Sequence, residues 1–178
     1  MHKRLGGKMK IIKEIYSDLS ECIKDAMEAS SSYAVEGVEN DIGGPFGASI
    51  IQKIDDKYKI VVIERNSVVK DNNPTSHAEM NAIKKASELF NRFDLSDCIL
   101  VSTAKSCPMC LATSCWARIP KIYYGVDYEY ATKYGFKDNE ILEYLQGKNN
   151  LISEEKLEND FAKEPFESWA NKENRVDY

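Results

Sequence analysis

Residues 76–86 read SHAEMNAIKKA and residues 105–117 read KSCPMCLATSCWA, and the two stretches together decide the reading of the fold. The chain has only two histidines, and one of them, His77, is followed two residues later by Glu79. The second stretch carries Cys107 and Cys110, and each stretch reads as the start of a helix. Pro108 suits a first helical turn, where a backbone N–H is not needed, and Ser106 is a candidate N-cap. Ser76 or Thr75 stands before His77 in the same way. Residues i and i+3 of one turn share a side, so both sulfurs can face one point. A helix start is electropositive and favours the thiolate. Imidazole nitrogen and two thiolates are zinc donors, and three protein ligands leave a fourth position open, as in catalytic sites. Cys115 lies five residues beyond Cys110. On a helix that is about 140° round and roughly 7.5 Å along, out of reach of the same ion. Glu79 lies close enough to serve a water at the open position as general acid and base.

Working outward, helical periodicity runs from His77 to about Leu89. CILVST (98–103) reads as a buried strand, a helix follows over about 107–118, and KIYYGV (121–126) reads as a further strand. Upstream, apolar residues from Ile11 to Met27 recur at three- and four-residue spacing and predict a helix over 10–38. DIGGPFG (41–47) breaks it. FGASIIQ and YKIVVIE flank KIDD as a hairpin, and 65–76 reads as a polar loop. After residue 126 come weakly helical segments near 127–133, 138–146 and 153–162. The end, EPFESWANKENRVDY, holds Phe166, Trp169 and Tyr178, too many aromatics for a solvated tail, and is expected to dock. Helices alternating with strands predict a layered α/β domain with a mixed sheet.

The length of 178 residues fits one domain, and 43% hydrophobic with 30% charged residues fits a globular chain. A net charge of −5 disfavours nucleic-acid binding. No apolar run approaches a bilayer span. The start, MHKRLGGKMK, lacks the apolar core of a secretory signal. Residues 1–9 are expected to be a disordered lead, with Met9 a second possible start. Five cysteines, two of them in a C-x-x-C, point to a reducing, cytoplasmic setting and to metal chemistry, not disulfides. Cys22, Cys98 and Cys115 read as small core residues, His2 as solvated, and the tyrosines at 123, 124, 128, 130 and 134 as packing groups.

These residues resemble the cytidine and deoxycytidylate deaminase superfamily, and within it the bacterial guanine deaminases. GGPFGASI (43–50), NSVVKDNNPTSHAE (66–79), CPMCLATSCWARIPKIYYG (107–125), YGFKD (134–138) and PFESWANKENRVDY (165–178) carry the resemblance. It implies a three-layer α/β/α fold with a central mixed sheet of about five strands, in a single domain over 10–178. It implies one Zn2+ per subunit on His77, Cys107 and Cys110, with Glu79 shuttling protons. Asn66 would hydrogen-bond a purine, Phe46 would pack near its ring, and Asp138 and Tyr178 would complete the pocket and assist proton transfer. Residues 150–178 would form a lid swapped between the subunits of a homodimer. The implied reaction is hydrolysis of guanine to xanthine and ammonia by addition of a zinc-activated water at C2. Cytosine, a triazine, a nucleoside or tRNA adenosine are the alternative substrates on this fold, and a non-catalytic zinc module is the alternative outside enzymes. In one place the chain departs from the pattern: Lys105-Ser106 stands where the family carries Glu-Pro. There Ser106 is expected to cap the helix and Lys105 to point to solvent.

Overall fold

A computed structural model of the chain describes residues 12–157 and 160–176. Two compact units make it up, residues 1–139 and residues 140–178. In the first unit a mixed sheet forms from β1 (Gly47–Ile54), β2 (Lys57–Arg65), β3 (Cys98–Ala104) and β4 (Lys121–Val126), in the order β2-β1-β3-β4. β1 pairs antiparallel with both β2 and β3, while β3 and β4 run parallel. The sheet therefore has four strands among the described residues, against the expected five. No further β-branched alternating run follows β4, and the chain there turns helical: α5 (Tyr128–Thr132) and α6 (Asp138–Leu145).

The sheet is covered on both faces, which gives the expected three layers. α1 (Leu19–Glu39) contacts β1, β2 and β3 from one side. There Cys22 and Ala26 pack with Tyr16, Ile51 and Val101. α3 (Ala78–Phe90) covers the other side, where Ala78, Ala82, Ile83 and Ala86 pack with Ala48, Ile50, Val62 and Leu100. The alternation along β1 is the period-2 pleat: Ile50 faces α3 and Ile51 faces α1. A register shift at Ile50/Ile51 marks a bulge in the β1–β2 pairing. Apart from Asp25, which accepts from the Tyr16 hydroxyl, the buried residues of α1 are small, Cys22, Ala26, Ser30, Ala34 and Gly37, so the helix lies close to the sheet. Gly47 is required by that approach, since a Cβ there would sit 2.1 Å from the Ser30 carbonyl oxygen.

α1 begins at Leu19, not at residue 10. Asp18 caps it, its carboxylate accepting from the Glu21 N–H at 2.7 Å. Before it the backbone is extended: Tyr16 exchanges both hydrogen bonds with Tyr58 at 2.9 Å. Ile12 and Ile15, expected on the helix face, are exposed, and the expected lead over 1–9 lies outside the described residues. A short helix, α2 (Val68–Asp71), interrupts the polar loop before α3. The second unit holds α7 (Glu164–Ala170) and most of α6. Among the described residues no helix is long and apolar enough to cross a membrane.

Candidate active site

Two helix starts meet at one place, as the sequence predicts. α4 (Pro108–Trp116) packs on α3, and each helix is preceded by an extended residue: Cys107 (φ −66°, ψ 166°) and His77 (φ −69°, ψ 154°). Neither side chain caps its own helix. The first bond of α4 runs from the Leu111 N–H to the Cys107 carbonyl, so the N-cap position falls on Cys107 and not on Ser106. Ser106 is buried one residue outside, and its hydroxyl has no partner among the described residues.

His77, Cys107 and Cys110 bring their donor atoms within 4.8 Å of one another. His77 Nδ1 stands 3.5 Å from the Cys107 sulfur and 3.6 Å from the Cys110 sulfur. Two ligands on one tetrahedral zinc, with ordinary Zn–N and Zn–S lengths, lie about 3.6 Å apart. The donor set and its spacing therefore fit a single zinc ion. The hydrogen bond from Cys110 and the neighbouring His77 hold Cys107 well below the ordinary thiol range. The Cys107 thiolate, together with burial and Glu79, pushes Cys110 far up. The hydrogen bond to Cys107 raises His77. Zinc binding at such a cluster would displace the protons its ligands hold.

Glu79, in the first turn of α3, is 5% exposed. Burial raises its carboxyl above the usual range, the Cys107 charge adds to this, and His77 opposes it. Asp138, the first residue of α6, is half-buried and likewise raised by burial, with the Cys107 charge adding and His77 opposing. Asn66 is buried, and its side-chain carbonyl accepts from the backbone N–H of Gly44 and of Val68, both at 3.1 Å. That leaves its amide nitrogen as the group able to donate to a ligand. Gly43 allows this arrangement, because a Cβ there would come within 2.3 Å of the Asn66 side-chain oxygen. Phe46 meets Phe136 edge to face, with ring centroids 4.7 Å apart. Tyr178 lies outside the described residues.

The remaining cysteines divide: two are core residues, as expected, and one is not. Cys22 and Cys98 are buried, and burial pushes each thiol up to about 12. Cys115 is exposed, not a core residue, because it falls on the outer side of α4. Lys105 is exposed, yet its ammonium lies 4.9 Å from the centre of the Tyr128 ring and 5.9 Å from that of Tyr124. Tyr128, expected only to pack, donates its hydroxyl to the Ser106 carbonyl at 2.5 Å. Its place one residue past Asp127, a good N-cap at the end of a parallel strand, was the available sign.

Residues 20–126 match the cytidine and deoxycytidylate deaminase zinc-binding region, a stretch that contains all three metal-site residues. The chain belongs to the cytidine and deoxycytidylate deaminase family. As a member of that family it is a zinc-dependent hydrolytic deaminase. It is similar to the guanine deaminase of Bacillus subtilis, with 33% identity over 154 residues, 85% of this chain and 96% of that one. The crystal structure of that Bacillus subtilis enzyme superposes with a TM-score of 0.80 at 32% identity, covering 87% of this chain and 98% of the other. The likeness to the tRNA-specific adenosine deaminase of Rickettsia bellii is shorter: 32% identity over 81 residues, 46% of this chain and 54% of that one.

Proposed function

We propose that this deaminase hydrolyses free guanine to xanthine and ammonia in the cytoplasm, as part of purine metabolism. The observation that carries the reading is the extent of the likeness. Similarity to a guanine deaminase spans 85% of the chain and continues past the zinc-binding region, whereas similarity to a tRNA adenosine deaminase spans 46%.

In this reading His77, Cys107 and Cys110 hold one zinc per subunit. Bound there, zinc supplies the Lewis acidity that activates water at neutral pH. Glu79 takes one proton from the attacking water and delivers it to the ring nitrogen, then takes the second from the added hydroxyl and delivers it to the departing exocyclic amine. The new C2–O bond replaces the C2–N bond, and ammonia leaves. Burial suits Glu79 to this task, because a raised pKa brings a carboxyl nearer the working pH. Asn66 donates its amide to an acceptor on the purine edge, and Phe46, braced by Phe136, lies along the ring. Asp138 and Tyr178 complete the pocket.

The active form is a homodimer in which the C-terminal segment of one subunit covers the site of its partner. Support comes from apolar side chains left exposed in the single chain: Phe161 at 78%, Phe166 at 77%, and Leu111 and Trp116 on α4. Aromatic and leucine side chains exposed in each unit are available to be covered by a partner chain.

The test is ammonia release by the zinc-loaded chain from guanine, cytosine, a triazine and free nucleosides. Guanine is expected to be the preferred substrate. Turnover of cytosine or a triazine with none of guanine would overturn the substrate and leave the zinc site standing.

A further inference from the structure

We infer that Tyr128 is a positioning residue for the zinc-binding turn: its hydroxyl anchors the Ser106 carbonyl, and Lys105 steadies its ring. The geometry follows from the topology. β3 and β4 are parallel neighbours, so they end at the same edge of the sheet. The Lys105 N–H donates to the Val126 carbonyl at 2.8 Å, just past the end of β3. Beyond that point one strand leads through Ser106 into Cys107, and the other leads into α5. The start of α5 is fixed twice. Asp127 accepts from the Tyr130 N–H at 2.9 Å, and the Thr132 hydroxyl donates to the Tyr128 carbonyl at 2.7 Å. From this held backbone the Tyr128 side chain reaches across 22 residues of sequence to Ser106.

Ser106 is the residue next to a metal ligand and lacks the ring that would fix its own φ. Its carbonyl is the handle by which the turn can be held. A phenol keeps its proton at neutral pH, so the Tyr128 hydroxyl is available as the donor of this bond. The Lys105 ammonium over the ring is a cation–π contact. Both contacts act on the orientation of a ligand rather than on substrate. The inference rests on His77, Cys107 and Cys110 as the zinc ligands and not on the identity of the base.

The experiment compares the full chain with Tyr128→Phe and Lys105→Met. Zinc affinity is measured by chelator competition, ligand geometry by the sulfur-to-metal charge-transfer bands of the cobalt(II)-loaded protein, and Tm with and without zinc. Tyr128→Phe is expected to weaken zinc binding about tenfold, the low end for losing a group that orients a ligand. It should shift the cobalt bands and reduce the zinc-induced gain in Tm, while the zinc-free Tm stays near that of the parent. Lys105→Met is expected to weaken zinc binding about threefold, in keeping with one exposed cation–π contact. Unchanged affinity and cobalt bands in Tyr128→Phe would overturn the inference. So would a Tyr128→Phe chain that fails to fold with zinc present, since the hydroxyl would then determine the fold and not the ligand turn. A parent chain that binds zinc but ignores guanine overturns the substrate and leaves this result readable.

Discussion

Glu79 and Cys110 occupy one site and should fail in different ways. Cys110 is a candidate ligand with no exposed surface. Cys110→Ala is expected to lose the metal, read as less than one zinc per subunit after dialysis. Glu79→Gln removes only the proton carrier. It should keep one zinc and lose turnover by about 10²–10⁴-fold, the range of positioned acid–base catalysis. Full activity of Glu79→Gln would sink the hydrolytic mechanism and favour a non-catalytic zinc module. Thiol chemistry gives a second check on residues. Cys22 and Cys98 are buried, each raised to about 12, and Cys107 and Cys110 are expected to be covered by zinc. Only Cys115 is exposed in the single chain, so the zinc-loaded protein should show at most one fast thiol with a disulfide reagent, lost in Cys115→Ser. Two or more fast thiols before chelation would contradict the metal assignment.

At the scale of elements, the end of α4 is a joint that pH should loosen. Arg118 stands in the left-handed region at φ 59°, unusual for a side chain of its size, and its guanidinium reaches Asp94 at 2.6 Å. Hydrogen bonds from Ser96 and Arg118 hold the Asp94 carboxyl well below its ordinary range. A depressed carboxyl pKa adds stability above the unfolded value of about 3.9, and that stability is lost as pH falls through the folded value. Asp94→Asn should therefore melt slightly below the parent at pH 7, with the gap narrowing at pH values under about 4. A gap that stays constant down to pH 2 would show that the ion pair contributes nothing. This joint was not legible in the sequence, because Asp94 and Arg118 lie 24 residues apart and meet only through the fold. His77, Cys107 and Cys110 were legible because their placement follows from two helix starts, which are local. The start of α1 was misread for the opposite reason: the apolar spacing continues through Ile12 and Ile15, but the pairing of Tyr16 with Tyr58 draws that segment onto the sheet. The hydrogen bond from Tyr128 to Ser106 is not legible in the sequence, because it depends on the parallel pairing of β3 with β4.

At the scale of the whole molecule, the described site residues all lie within residues 1–139, and the aromatic tail belongs to the other unit. A chain ending before Trp169 should thus fold and bind zinc yet deaminate guanine poorly, if the tail covers a site. Truncation by itself does not say whose site is covered, and a mixture of two defective chains does. Let one chain lack residues 169–178 and keep Glu79; let the other be full length and carry Glu79→Gln. If each tail covers the partner's site, a mixed dimer has one live site: the truncated subunit supplies Glu79 and the other supplies the tail. Refolding the two together in equal amounts forms mixed dimers as about half the population by random pairing. Roughly a quarter of all sites should then recover guanine deamination, though neither chain works alone. Were each tail to serve its own subunit, no pairing would unite an intact Glu79 with a tail, and the mixture would stay inactive. A chain that sediments as a monomer at assay concentration would exclude the exchange directly.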